Sequence, residues 1–239
     1  MTASKILNRV LYDREGEPRP ILSARMQLAK FAATRGWVIP YLTTRAGISE
    51  KWRKASLGGP LGYQTYLELT PVSEAILAQI IARVSPGESI LDLGCNVGRE
   101  LNALWKKGYR NLTGVEIGEE PVKAMKSAFP ELAAGARIIN DSMAEALLNL
   151  GSGEFDLVYA HGSLVSLNAR EQYVFDEICR VSRKWVITLE NEWSMLLFPR
   201  DFGEVFRRRG LRQVHHELVR VGSRKRSALR VFAKEDAGS

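Results

Sequence analysis

Sulfur, imidazole and long apolar runs are all scarce in this 239-residue chain. It has two cysteines, Cys95 and Cys179, and neither stands in a CxxC pair. That leaves no framework for a disulfide scaffold and no thiolate cluster for zinc. Three histidines occur, His161, His215 and His216. The last two are adjacent in an alternating segment, so a strand would send their rings to opposite faces. No metal site is expected. No apolar run reaches the length of a membrane span. The opening MTASKILNRVLYDREGEPRP lacks a continuous apolar segment of the secretory kind. The expectation is a cytoplasmic protein without membrane contact.

Acidic residues are outnumbered, 27 against 34 basic ones, for a net charge of +7. The excess is concentrated near the ends, with Arg207, Arg208, Arg209 and Arg212 followed by Arg224, Lys225 and Arg226. A basic surface favours polyanions or acidic substrates. No aromatic stacking series is interleaved with it, so the first reading is a solvated face. Length and an ordinary composition suit one α/β domain with added structure.

Residues 1–69 lack a regular strand–helix alternation and are assigned to a helical lid or substrate-binding extension. Within them ILSARMQLAKFAATRG predicts a helix ending at Gly36. SEKWRKAS predicts a shorter one, with Ser49 as its cap. From residue 70 a rhythm starts. Thr70 and Pro71 open a helix with Ile76, Leu77, Ile80 and Ile81 on one face. Strands SILDL, NLTGVEI, ARIIN, FDLVYA and KWVITLE then alternate with helices, two of them opened by the capping patterns Ser142/Glu145 and Asn168/Glu171. Asp201 caps a last helix, stopped by Gly210. Strands LRQVHHELVR and ALRVFAKE, only a short turn apart, must form an antiparallel hairpin. The pattern predicts an α/β fold over residues 70–239: a seven-stranded mixed sheet, parallel strands plus a C-terminal hairpin, with helices on both faces.

In such a sheet, ligands sit beyond the carboxyl ends of the strands, where strand order reverses. The first strand runs into that region as SILDLGCNVGRE, residues 89–100. Gly94 lets the chain turn sharply, and Gly98 lets the next helix approach closely. The G-x-x-x-G spacing is neither the dinucleotide fingerprint nor the phosphate loop. Asp92 at the turn would repel a pyrophosphate and favour a cationic amine. S-adenosylmethionine has that charge pattern: an ammonium, a sulfonium and no phosphate. Glu116 ends the second strand, about 20 residues on, where an acid can accept from both ribose hydroxyls. Ile117 follows it, suited to cover an adenine face. Asp141 either accepts from the adenine amino group or caps the next helix, a task for which Ser142 serves equally.

ILDLGCNVG, GVEI, IINDS and FDLVYAHGSL, in that order, resemble motifs I to IV of the class I S-adenosylmethionine-dependent methyltransferases. The likeness covers residues 70 to about 235. It implies a Rossmann-like domain with S-adenosyl-L-methionine as cofactor. By matching position it puts Gly94, Cys95, Asn96 and Gly98 around the methionine moiety and Glu116 on the ribose. Ile117, Asp141, Ser142 and Met143 then surround adenine. Tyr63 or Tyr66 would close on the methionine carboxylate. RVSRKWVITLENEW and FPRDFGEVFRRRGL are similar to segments of the small-molecule members.

Methyl transfer from a sulfonium is an in-line displacement with a neutral leaving group, so alignment and desolvation of the nucleophile dominate. A base is needed only where the acceptor must lose a proton. His161, in the loop after the fourth strand, is the candidate general base. Its alternative role is a backbone hydrogen bond or packing against the cofactor. That loop has no [ND]-P-P-[FYW] and no cysteine, which argues against exocyclic base nitrogens and cytosine C5 as acceptors. The expected function is methyl transfer to an O or N atom of a small metabolite, acidic ones included. The alternative is an RNA-modifying methyltransferase that uses the basic termini.

Overall fold

The computed structural model describes residues 20–39, 52, 66–193, 198–221 and 225–234. The short helix expected around Ser49, apart from Trp52, the candidate Tyr63 and residues 222–224 of the final hairpin turn lie outside the described residues.

The first helix, α1 (Pro20–Thr34), ends where expected, with Gly36 in the left-handed region at φ 72°. Helix α2 (Pro71–Ile81) starts at Thr70, whose side chain accepts from the Ser73 N–H, with proline in its first turn. The chain then runs β1 (Ile90–Leu93), α3 (Arg99–Lys106), β2 (Leu112–Val115), α4 (Glu119–Ala128), α5 (Pro130–Gly135) and β3 (Arg137–Ile139). It continues with α6 (Met143–Leu148), β4 (Phe155–His161), α7 (Tyr173–Val181), β5 (Ser182–Glu190), α8 (Phe202–Arg207), β6 (Arg212–Val221) and β7 (Lys225–Ala233).

The seven strands form one sheet in the order β3-β2-β1-β4-β5-β7-β6. The first five are parallel, and β7 pairs antiparallel with both β5 and β6. Strand order reverses between β1 and β4, so the tip of β1 stands at the switch point. Two local details were not foreseen. α5 forms directly after α4 because Pro130 ends one helix and opens the next. The segment after Asn168 begins as a 3-10 turn, Ala169–Glu171, closed by a reciprocal Asn168–Glu171 capping box, before α7 starts.

Side chains alternate along each strand, so the sheet has two cores. Val158, Val186 and Phe232 meet Val174, Phe175 and Phe206 from α7 and α8 on one face. Ile90, Leu157, Ile187 and Val231 meet Ile76 and Ile80 of α2 and Leu101 and Leu104 of α3 on the other. Helix α1 buries Met26, Ala29, Ala32 and Ala33 and docks beside α8. There the Thr34 hydroxyl accepts from the Asp201 N–H at 2.9 Å, and Arg35 pairs with Glu204 at 3.1 Å. Among the described residues, no helix is long and apolar enough to cross a membrane.

Candidate active site

The turn after β1 is laced to β2: the N–H groups of Gly94 and Cys95 both donate to the Val115 carbonyl, at 2.8 and 3.0 Å. Gly94, Asn96 and Gly98 have φ of 83°, 50° and 75°. Three left-handed residues within five positions reverse the chain tightly, and asparagine is among the few side chains that tolerate that region. A methyl group on Gly94 would lie 2.6 Å from the Ser163 Cβ, and one on Gly98 would lie 2.9 Å from the Met125 Cε. Close approach therefore requires glycine at both positions, against the loop after β4 and against α4.

Glu116 stands where this turn meets the tip of β2. Its Oε2 accepts from the Asn96 N–H at 2.9 Å and its Oε1 from the Gly118 N–H at 2.7 Å. Burial raises its carboxyl pKa, while these backbone hydrogen bonds oppose the rise. The Asn140 side chain donates to the Glu116 carbonyl at 2.8 Å, tying the tip of β3 to that of β2.

Asp92 lies lower than the sequence suggests. Parallel pairing puts it beside Tyr159, whose hydroxyl donates to the Asp92 Oδ2 at 2.7 Å. Only 3% of Asp92 is exposed. Burial, followed by the nearby Glu100 carboxylate, pushes its pKa well above the usual range. It underlies the turn instead of lining its rim, because its position in β1 sends the side chain to the α2–α3 face. The Cys95 side chain also lies beneath the turn, buried at 3% exposure. Its Sγ would lie 2.8 Å from a methyl on Gly114, and its N–H and carbonyl are committed to Val115 and Gly98 inside the turn. It supports the turn by packing.

His161 closes β4, with its side chain 22% exposed. Its Nδ1 lies 3.1 Å from the Glu100 Oε1, which also accepts from Arg99 Nε at 3.0 Å. Burial alone would raise the Glu100 pKa, but hydrogen bonding and charge from His161, then Arg99, outweigh it and hold the carboxyl at about 2. Beyond His161, the Ser163 hydroxyl donates to the Leu93 carbonyl. The buried Glu190 carboxylate accepts from the N–H groups of Ser163 and Leu164 at 3.1 and 3.0 Å. Burial raises Glu190 to about 8 against those hydrogen bonds.

On the other flank Ile117, Asp141, Ser142 and Met143 are all half-buried. The helix after Asp141 is capped by its neighbour. Ser142 caps α6 by accepting from the Glu145 N–H, while the Asp141 Oδ1 accepts from the Ser142 N–H at 2.7 Å. The strand ends thus bring Gly94, Asn96, Glu116, Ile117, Asp141, Ser142, Met143 and His161 to one edge of the sheet, with Asp92 and Cys95 beneath. The basic cluster at the end of α8 is partly committed elsewhere: Arg208 pairs with Glu204 and Arg209 with Asp176. Among the described residues, no group of three His, Cys, Asp or Glu side chains is arranged to hold a metal.

Sequence reasoning overlooked Glu100, Tyr159, Ser163 and Glu190. For Glu100 a signal existed: it precedes Leu104 by four residues and so shares the buried face of α3.

A methyltransferase-domain family matches residues 90–184. An O-methyltransferase of Pyrenophora dematioidea is 29% identical over 102 residues, covering 42% of this chain and 38% of that protein. A 2-methyl-6-phytyl-1,4-hydroquinone methyltransferase of Synechocystis sp. is 32% identical over 75 residues, covering 31% of this chain and 23% of that one. The chain thus spans well under half the length of either curated relative. Among solved structures, the Burkholderia thailandensis 1,6-didemethyltoxoflavin-N1-methyltransferase, with bound 1,6-didemethyltoxoflavin and S-adenosylhomocysteine, superposes with a TM-score of 0.62 at 16% identity. That match covers 86% of this chain and 89% of the other, and it establishes likeness of fold.

Proposed function

We propose that residues 90–184, which match a methyltransferase-domain family, are the core of a class I, S-adenosylmethionine-dependent methyltransferase, and that the protein methylates an oxygen or nitrogen of a small metabolite. The observation that carries this reading is Glu116, held at the junction of the turn and the tip of β2 by two backbone N–H groups. Each of its oxygens uses one acceptor position on the backbone and keeps another, enough for two ribose hydroxyls. The acids around the turn suit a cationic, phosphate-free nucleoside, and Arg99, the turn's own basic residue, is committed to Glu100. A cation above Asp92 would favour its ionised form from below.

S-adenosyl-L-methionine supplies an electrophilic methyl group on a sulfonium and departs as a neutral thioether. Gly94, Asn96 and Gly98 shape the wall beside its methionine part, while Ile117, Met143 and Ser142 enclose the adenine, with Asp141 accepting from the amino group. His161 accepts a proton from the acceptor. Helix α1, the described part of the extension read as the lid or substrate-binding element, is anchored through Lys30, Thr34 and Arg35. The protein is read as a cytoplasmic enzyme. Its relatives carry names for oxygen and nitrogen methylation alike, so both acceptor atoms remain within the proposal. The small-molecule reading stands ahead of RNA because Arg208 and Arg209 are already paired with acids.

Calorimetric titration of the full chain with S-adenosylhomocysteine tests the cofactor site. Saturable binding is expected, and no heat at millimolar ligand overturns the proposal. Screening metabolite pools with radiolabelled S-adenosylmethionine then identifies the acceptor.

A further inference from the structure

We propose that Glu100 is the positioning partner of His161, fixing its ring with Nδ1 as the donor and Nε2 as the basic atom, and that the site is thereby built for weakly acidic hydroxyls of the phenol or enol kind. The inference rests on the reading of His161 as general base and adds a residue and a substrate class to it.

Glu100 lies on the buried face of α3 and reaches across to the end of β4, with its Oε1 3.1 Å from the His161 Nδ1. A carboxylate on such a face is costly unless it is paired and hydrogen-bonded. Arg99 does part of this. Its Nε and Nη2 both reach the Glu100 Oε1, at 3.0 and 2.9 Å, while its Nη1 donates to the Glu68 carbonyl at 3.3 Å. The arginine is thus tied at both ends and keeps the carboxylate ionised and aimed at the ring. The other titratable groups near the pair are Asp92 on β1, Cys95 in the turn and Tyr159 on β4. Asp92 and Tyr159 are hydrogen-bonded to each other, which leaves Glu100 as the acid in contact with the imidazole. Among the described residues His161 Nε2 carries no hydrogen bond.

A carboxylate behind a histidine sets its tautomer and stabilises the imidazolium formed on proton uptake. That help is wasted on a carboxylate acceptor, which is already ionised at neutral pH. It is useful for a hydroxyl that titrates near pH 10, as a phenol does. In the step, the hydroxyl oxygen forms the new O–C bond as the methyl C–S bond breaks with its electron pair onto sulfur. The hydroxyl proton passes to Nε2 and then to water.

The chain holds three histidines, so nitrogen-15 NMR of the full protein reads the His161 tautomer directly, with His161→Gln for assignment. The expected result is an Nδ1–H tautomer in wild type and in Glu100→Gln, which keeps an acceptor oxygen, and a shift toward Nε2–H in Glu100→Leu. Turnover is read with a series of simple phenols and radiolabelled S-adenosylmethionine as probes. Glu100→Leu lowers kcat by about 10- to 100-fold, most for the least acidic phenol, while S-adenosylhomocysteine affinity stays within about twofold. A wild-type Nε2–H tautomer, or a tautomer unchanged in Glu100→Leu, overturns the positioning role. Methylation of benzoate in preference to the phenols overturns the substrate class. A wild-type chain that binds no S-adenosylhomocysteine defeats the cofactor reading instead, and the NMR result still decides the histidine pair. If Glu100→Leu does not fold, Glu100→Asp, whose shorter carboxylate must retreat from the ring, is read by the same two measurements.

Discussion

On the β3-β2-β1-β4 side of the sheet, Asp92, Glu100 and Glu116 are buried around a turn of left-handed residues. On the β5-β7-β6 side, Glu190 and Glu192 are buried beneath a docked helix. Glu192 is saturated: it receives Arg230 Nε and Nη2 at 2.8 and 3.0 Å, Lys30 at 3.2 Å and the Phe202 N–H at 3.1 Å. Glu190 is likewise filled by consecutive backbone N–H groups. Asp92 has one partner, the Tyr159 hydroxyl, and Glu116 takes the Asn96 and Gly118 N–H groups, while among the described residues Glu100 gathers Arg99 and His161 on a single oxygen. Buried carboxylates lock structure where every oxygen is occupied, and they remain chemically available where acceptor capacity is left over.

The sharpest test of this division is Arg230→Met. It leaves Glu192 without its two-pronged partner, and breaking a buried pair from one side costs about 3–5 kcal/mol. Chemical denaturation should show that loss while S-adenosylhomocysteine affinity is retained. A parallel fall in affinity would mean that the two sides are coupled. Glu116→Ala is its counterpart on the other side. Removing charged hydrogen bonds to a ligand should weaken S-adenosylhomocysteine binding by about 10- to 100-fold in calorimetry, with a stability loss smaller than that of Arg230→Met, about 1–3 kcal/mol, from the Asn96 and Gly118 N–H groups left without their acceptor. Gly94→Ala sits between these cases. A side chain at φ 83°, against Ser163, should cost about 1–3 kcal/mol and move the turn, so stability and affinity fall together.

Glu190→Gln changes a slope more than a level. The folded value of about 8 lies above the unfolded carboxyl value of roughly 4.3. The native state therefore binds the extra proton between those limits. The contribution of Glu190 is complete below the lower value and declines as pH rises through the upper one. Melting temperatures recorded from about pH 5 to pH 8 should fall less steeply in the variant than in wild type. Lys30→Met should have the smallest effect, about 1 kcal/mol or less, because its partner Glu192 keeps Arg230 and the Phe202 N–H.

Much of the fold could be read along the chain. Thr70–Pro71, Asp201 and the glycines at 36 and 210 mark helix ends that the structure reproduces, and two strands one short turn apart can pair only antiparallel. The turn of the candidate site was legible as far as Gly94, Asn96, Gly98 and Glu116, whose placement follows from a strand, a turn and the next strand. Asp92 was legible as a residue but not in its surroundings, since nothing near it in sequence announces Tyr159. Glu100 was passed over because an acid in the first turn of a helix is normally satisfied by the helix end itself.

By itself the sequence determined what depends on neighbours a few residues away: the period of each element, its caps, and the positions able to adopt positive φ. Tertiary structure alone decided the partners of the buried acids. Tyr159 reaches Asp92 across 67 residues and His161 reaches Glu100 across 61, because parallel strands and the helix packed on them were brought side by side. Those contacts depend on which strands become adjacent, and adjacency is fixed only when the whole sheet assembles.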